Sequence, residues 1–165
     1  MTDGPTAAHD RGIFTVVVVD DTPDIRMLTR MALEMDSAVR VVGEAENGRQ
    51  GIEVAGAHRP DVVVLDMAMP VMDGLEALPH IRRVSPATRV LVVSGFDQLT
   101  MAPSASDAGA DGYLQKGAPP ATLLERVREL ASLGPRQPTP AGQDGVLVDE
   151  QVAGRPAAAG SDGAT

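Results

Sequence analysis

Two apolar runs in this chain end in bare aspartates. Val16-Val17-Val18-Val19 closes in Asp20-Asp21, and Val62-Val63-Val64-Leu65 closes in Asp66. A third run, Val90 to Val93, ends at Ser94, and Gly112-Tyr113-Leu114-Gln115 is followed by Lys116. In a parallel α/β sheet the carboxyl ends of the strands form the ligand crevice. Three carboxylates there suit Mg2+, a hard cation that takes oxygen ligands and keeps several waters. Without a cation their like charges would repel. With one, a phosphoryl donor can approach, and Asp66 is placed to act as nucleophile and form an acyl phosphate. Lys116 would then stabilise the spread-out charge of the transferring oxygens, and Ser94 can donate its O–H to one of them. Taken singly, an aspartate at a strand end is a helix cap or turn former, and serine is common in turns. The reading rests on all five falling at the ends of expected strands.

The composition sharpens the lysine. Of 14 Lys+Arg, Lys116 is the single lysine and the other 13 are arginine. A position that keeps lysine in such a chain suits a compact point charge rather than a flat fork. The 165 residues fit one domain, and 43% hydrophobic content supplies a core. Net charge is −9, with no basic stripe, so direct nucleic-acid binding is not expected. The absence of cysteine excludes disulfides, a thiolate nucleophile and Cys-ligated metal, and fits a reducing cytoplasm. No stretch approaches a membrane-spanning length, and the N-terminus has no apolar core of a signal peptide.

The elements that must position these residues follow from the alternation of apolar runs with helical patterns. Residues 1–12 read as a disordered lead, 13–133 as the folded domain, and 134–165, rich in Pro, Gly and Ala, as a disordered tail or linker. Strands are expected at about 14–19, 39–42, 61–65, 90–93 and 112–115. Thr22-Pro23 looks like a helix start, with Ile25, Leu28, Ala32 and Met35 on one face. Asn47-Gly48 and Asp73 open the next two helices. Pro79 falls inside the second of these, and Pro103 inside a weak pattern at about 99–108. A last helix covers about 119–133, with Leu123, Leu124, Val127, Leu130 and Ala131 apolar. All-valine runs fit strands buried on both faces of a doubly wound α/β sheet with five helices.

VVVVDDTPDIR, VVVLDMAMPVMDGLE, LVVSG and GADGYLQK resemble, in order and spacing, the receiver domain of two-component response regulators. The resemblance covers about residues 13–133 and implies a flavodoxin-like sheet of order 2-1-3-4-5. By position it implies Asp66 as phospho-acceptor, Asp21 as a direct Mg2+ ligand, Asp20 acting mostly through water, and the Ala68 carbonyl as a backbone ligand. Ser94 and Lys116 would contact the phosphoryl group, and the Tyr113 ring would swing inward as the hydroxyl is pulled. Pro70 and Gly74 match the turn after the acceptor. The implied partner is a sensor histidine kinase. Output would pass to an unknown protein, with room for a phosphorylation-dependent homodimer. The chain would catalyse only its own phosphotransfer and dephosphorylation.

Three departures from the family pattern bear on this. Gly117 stands where many members have proline, which suggests a looser loop. Pro103 and a small, polar sequence suggest a short or mobile fourth helix. Ala68 and Phe96 offer nothing to orient water, which suggests slow self-dephosphorylation. Two other classes compete. An aspartyl-phosphate phosphatase of the haloacid-dehalogenase type would need a second aspartate after Asp66, where Met67-Ala68-Met69 stand. A scaffold that never takes phosphate would not need the intact Asp20, Asp21, Asp66, Ser94 and Lys116. No DNA-binding helix pair follows residue 133, so output is expected through protein–protein contact or a further domain.

Overall fold

The structure is a computed structural model, and it describes residues 12–95 and 98–137. Five strands alternate strictly with five helices: β1 Phe14–Val19, α1 Pro23–Glu34, β2 Val39–Ala45, α2 Gly48–His58, β3 Val62–Asp66, α3 Gly74–Val84, β4 Arg89–Ser94, α4 Gln98–Asp107, β5 Gly112–Gln115 and α5 Pro120–Ser132. All pairings are parallel, in the order β2-β1-β3-β4-β5. This is the expected flavodoxin-like topology.

The valine runs explain the layering. Side chains alternate across a strand. Val17, Val19, Val63, Leu65, Val90 and Val92 enter one core with Ala55 of α2, Leu78 and Ile81 of α3 and Ala105 of α4. Val16, Val18, Val62, Val64 and Leu91 enter the other, with Leu33 of α1 and Val127, Leu130 and Ala131 of α5. Each such side chain contributes about 1.5–3 kcal/mol on burial, so the three central strands are the rigid platform of the molecule.

At α1 the expected start is found and one expectation changes. Thr22 holds the N-cap position before Pro23; its side chain makes no capping bond, and its backbone N–H donates to Asp20 Oδ1 at 2.8 Å. The helix also turns a different face to the sheet. Ala32 and Leu33 are buried, while Ile25, Leu28 and Met35 are exposed along with Met27 and Met31. The helix carries more apolar residues than one stripe needs, and Leu33, one position round from the expected face, meets the core. At α3 the Asp73 cap is complete: its Oδ1 accepts from Glu76 N at 2.8 Å, and Glu76 Oε2 accepts from Asp73 N at 3.2 Å. α3 runs through Pro79 despite the missing donor. α4 forms with Pro103 inside and, at ten residues, is the shortest of the five helices. Residues 1–11 of the expected lead (1–12), Phe96, and residues 138–165 of the expected tail (134–165) lie outside the described residues.

Candidate functional site

β1 is followed by β2 on one side and neighbours β3 on the other. The chain therefore leaves β1 and β3 toward opposite faces, and the crevice opens between their ends. Register places Val19 beside Leu65, Asp66 beside Val93 and Ser94 beside Gln115. Asp20, Asp66, Ser94 and Lys116 thus arrive from four adjacent strands at one level of the sheet. Asp20, Asp66 and Ser94 are buried and Asp21 is half-buried. Carboxylate oxygens of Asp20, Asp21 and Asp66 all lie within 4.8 Å of one another. Lys116 Nζ stands 3.0 Å from Asp66 Oδ2 and 3.2 Å from Asp20 Oδ2.

Lys116 is itself fixed at its backbone, where its N–H donates to the Ser94 carbonyl at 2.7 Å. Gly117 follows at φ +88°, left-handed backbone that a proline could not adopt. Asp66 Oδ1 accepts from Ala68 N at 3.3 Å. Oδ2 accepts no well-directed hydrogen bond, and its partner is the Lys116 ion pair. Burial pushes the Asp66 carboxyl above its ordinary value; the adjacent Lys116 ammonium pulls it down, and Asp20 adds repulsion. Burial alone would lower Lys116, but Asp66 and then Asp20 outweigh it and hold the ammonium above its usual value. Three carboxylates against one ammonium leave a surplus of negative charge and an all-oxygen donor set, which fits a hard divalent cation.

The loop after β3 is built around close approaches. A Cβ on Gly74 would fall 2.3 Å from the Asp66 carbonyl oxygen and 3.0 Å from Met67 Cα. Gly74 N–H instead donates to Met67 O at 3.0 Å. Gly48, opening α2, supports the same loop by donating to Met72 O at 3.0 Å. Val71 is exposed at φ +71°, an unfavourable conformation for a β-branched residue, so strain sits five residues from the acceptor. Tyr113 is half-buried against the core on the α2–α3–α4 face.

Sequence reasoning missed Arg26, whose Nη1 donates to the Asp20 carbonyl at 2.7 Å and braces the β1–α1 turn. Nothing in its spacing singles it out among 13 arginines. It also missed Val71, because valine carries no signal for left-handed backbone.

Residues 16–128 match the sequence profile of the response regulator receiver domain. The chain belongs to this family. It is 39% identical over 118 residues to the nitrate/nitrite response regulator protein NarL of Escherichia coli (strain K12), covering 72% of this chain and 55% of that protein. It is 40% identical over 114 residues to a protein-glutamate methylesterase/protein-glutamine glutaminase of Geobacter sulfurreducens, covering 68% and 31%. Among solved structures, the receiver domain of a NarL response regulator from Mycobacterium tuberculosis aligns with TM-score 0.69 and 37% identity, over 73% of this chain and 97% of that one. The response regulator domain of Thermotoga maritima CheB aligns with TM-score 0.68 and 30% identity, over 73% and 97%. The chain spans about half the length of the NarL relatives it matches, or less for the methylesterase. No helix among the described residues is long and apolar enough to cross a membrane.

Proposed function

We propose that this receiver domain is a phosphorylation-dependent switch in which Asp66 accepts a phosphoryl group from a sensor histidine kinase in the cytoplasm. The observation that carries the reading is the convergence of Asp20, Asp21, Asp66 and Lys116 at the strand ends, with the acceptor carboxylate paired to the only lysine. Asp20, Asp21, Asp66 and the Ala68 carbonyl would hold Mg2+, which when bound neutralises carboxylate and phosphoryl charge. An Asp66 oxygen attacks phosphorus; the P–N bond to the donor imidazole breaks as the new P–O bond forms, and the imidazole keeps the electron pair. Lys116 follows the charge from the Asp66 carboxylate to the phosphoryl oxygens, and the Ser94 hydroxyl donates to one of them. Tyr113, on the strand that leads into Lys116 and packed on the core that α4 shares, would pass that shift toward α4. Output then passes by protein–protein contact.

Intact mass after incubation with acetyl phosphate tests this. One added phosphoryl group that requires Mg2+ and is lost in Asp66→Asn supports the switch. An absent adduct together with absent Mg2+ binding would establish the scaffold reading instead.

A further inference from the structure

A second polar convergence lies at the other end of the sheet, where β4 and β5 begin. The Asp111 side chain is 8% exposed and meets three arginines from three parts of the chain. Its Oδ2 accepts from Val90 N at 2.8 Å and from Arg82 Nη2 of α3. Its Oδ1 accepts from Arg89 Nη1 of β4 at 3.2 Å and from Arg136 Nε at 3.2 Å. Arg136 lies beyond α5 and beyond the residues that match the family profile.

The segment carrying Arg136 is tied down along its backbone too. Gly134 takes left-handed backbone, φ +72°, and its N–H closes onto Ala131 O at 3.1 Å, turning the chain off the end of α5. Arg89 Nε donates to Gly134 O at 3.3 Å, and Arg136 N–H donates to Ala87 O at 2.8 Å. Side-chain and main-chain bonds thus hold Gly134 and Arg136, in a stretch that composition alone assigns to a tail.

The charges make the fastening releasable. Three guanidiniums share one carboxylate, a local surplus of positive charge. Arg82 is pushed below its ordinary value first by burial, which Asp111 opposes, and then by the charges of Arg136 and Arg89. Arg82 also donates to the carbonyls of Thr88 and Gly109, and Arg89 sits inside a strand. Arg136 is the most exposed of the three, and among the described residues its side chain has no such second tether. It is the member that can leave at least cost, and its departure relieves repulsion.

We propose that Asp111 and Arg136 form a latch that seats the start of the C-terminal extension under β4 and β5, so that whatever follows residue 137 leaves the receiver body from one fixed point. The latch also joins that exit to β5, the strand that delivers Lys116, since Asp111 N–H pairs with Val90 O at 2.9 Å to begin the strand. The proposal does not depend on phosphoryl chemistry at Asp66.

Trypsin reads the latch directly in the full chain. After residue 133 the sequence has two basic residues, Arg136 and Arg155, and the second precedes Pro156 and resists cleavage. The Arg136–Gln137 bond is therefore a single reporter. In the folded protein it should be cut at least about tenfold more slowly than in the urea-unfolded chain, and Asp111→Asn should remove most of that protection. Arg136→Gln covers the case in which Asp111→Asn fails to fold, because it leaves Arg82 and Arg89 on Asp111. There, amide exchange at positions 134 and 136 should accelerate about tenfold with the melting temperature nearly unchanged. Cleavage of the wild-type bond at the unfolded rate, or unaltered exchange at 134 and 136 in Arg136→Gln, would overturn the latch.

Discussion

Replacing the acceptor with its neutral isostere, Asp66→Asn, should stabilise the metal-free protein. Asp66 is 2% exposed, its Oδ2 lacks a well-directed donor, and Asp20 lies within the same carboxylate cluster. Desolvating the charge and holding it beside Asp20 costs about 1–3 kcal/mol that a neutral amide does not bear. Removing the charge also loses its attraction to Lys116, but that ammonium is 31% exposed and keeps Asp20 as a partner, so solvent screens much of the loss. A net gain of about 1 kcal/mol remains, which raises the melting temperature of a domain this size by about 4 °C. The pH dependence fixes the cause. The folded-state pKa of Asp66 lies above its ordinary value, because burial disfavours the ion. Above that folded value the carboxyl is ionised in both folded and unfolded chains, and the folded state bears the full cost. As pH falls through it, the folded state takes up the proton first and the cost disappears. Melting curves in EDTA at pH 8 and at successively lower pH should therefore show Asp66→Asn ahead at high pH and the gap closing toward the ordinary carboxylate range. A variant that melts at or below wild type at pH 8, or a gap that ignores pH, would refute the reasoning.

Other perturbations test other parts of the site. Gly74→Ala should destabilise by about 1–3 kcal/mol and slow phosphorylation, since the new Cβ must push Asp66 O away from 2.3 Å; thermal melts and phosphorylation kinetics read the two effects, and a variant as stable and as fast as wild type would show that the loop yields freely. Amide exchange across α4 should be faster than across α5, because Pro103 removes a donor inside a ten-residue helix; equal protection would sink that expectation. The phosphorylated form should persist well beyond seconds, because Ala68 offers no group to orient attacking water. Ala68→Asn should shorten its lifetime in a time course of intact mass, and an unchanged lifetime would place the control elsewhere.

What was legible in the sequence is what strands dictate. Uninterrupted valine runs announce strands buried on both faces, and their last residues must emerge on one edge, so the sequence alone groups Asp20, Asp66, Ser94 and Lys116. The sheet order is not in the runs themselves; it came from the resemblance. Where the reading departed from the structure, the deciding contact was long-range. α1 has apolar residues on more than one side, and only packing against β1 and β2 selects Leu33 over Ile25 and Leu28. Residues 134–136 are poor in core-forming side chains, yet they are seated, because Asp111 and Ala87 offer partners that no local pattern reveals.

Two aspartates at the opposite edge show the same limit more sharply. Asp61 and Asp111 precede β3 and β5 and look no different in sequence from Asp20 and Asp66. Asp61 accepts from the Thr15 backbone at 2.8 Å and Asp111 from that of Val90 at 2.8 Å, so each pins the start of a strand to its neighbour. Whether an aspartate flanking a strand does chemistry or carpentry depends on which end it flanks. At the starting edge, backbone donors and three arginines satisfy Asp111 fully. At the finishing edge, Asp66 is left with an undirected oxygen, one lysine and two carboxylate neighbours. That shortfall is what a cation and a phosphoryl group would relieve, and it is why the acceptor should be the position where a neutral side chain is more stable than the native one.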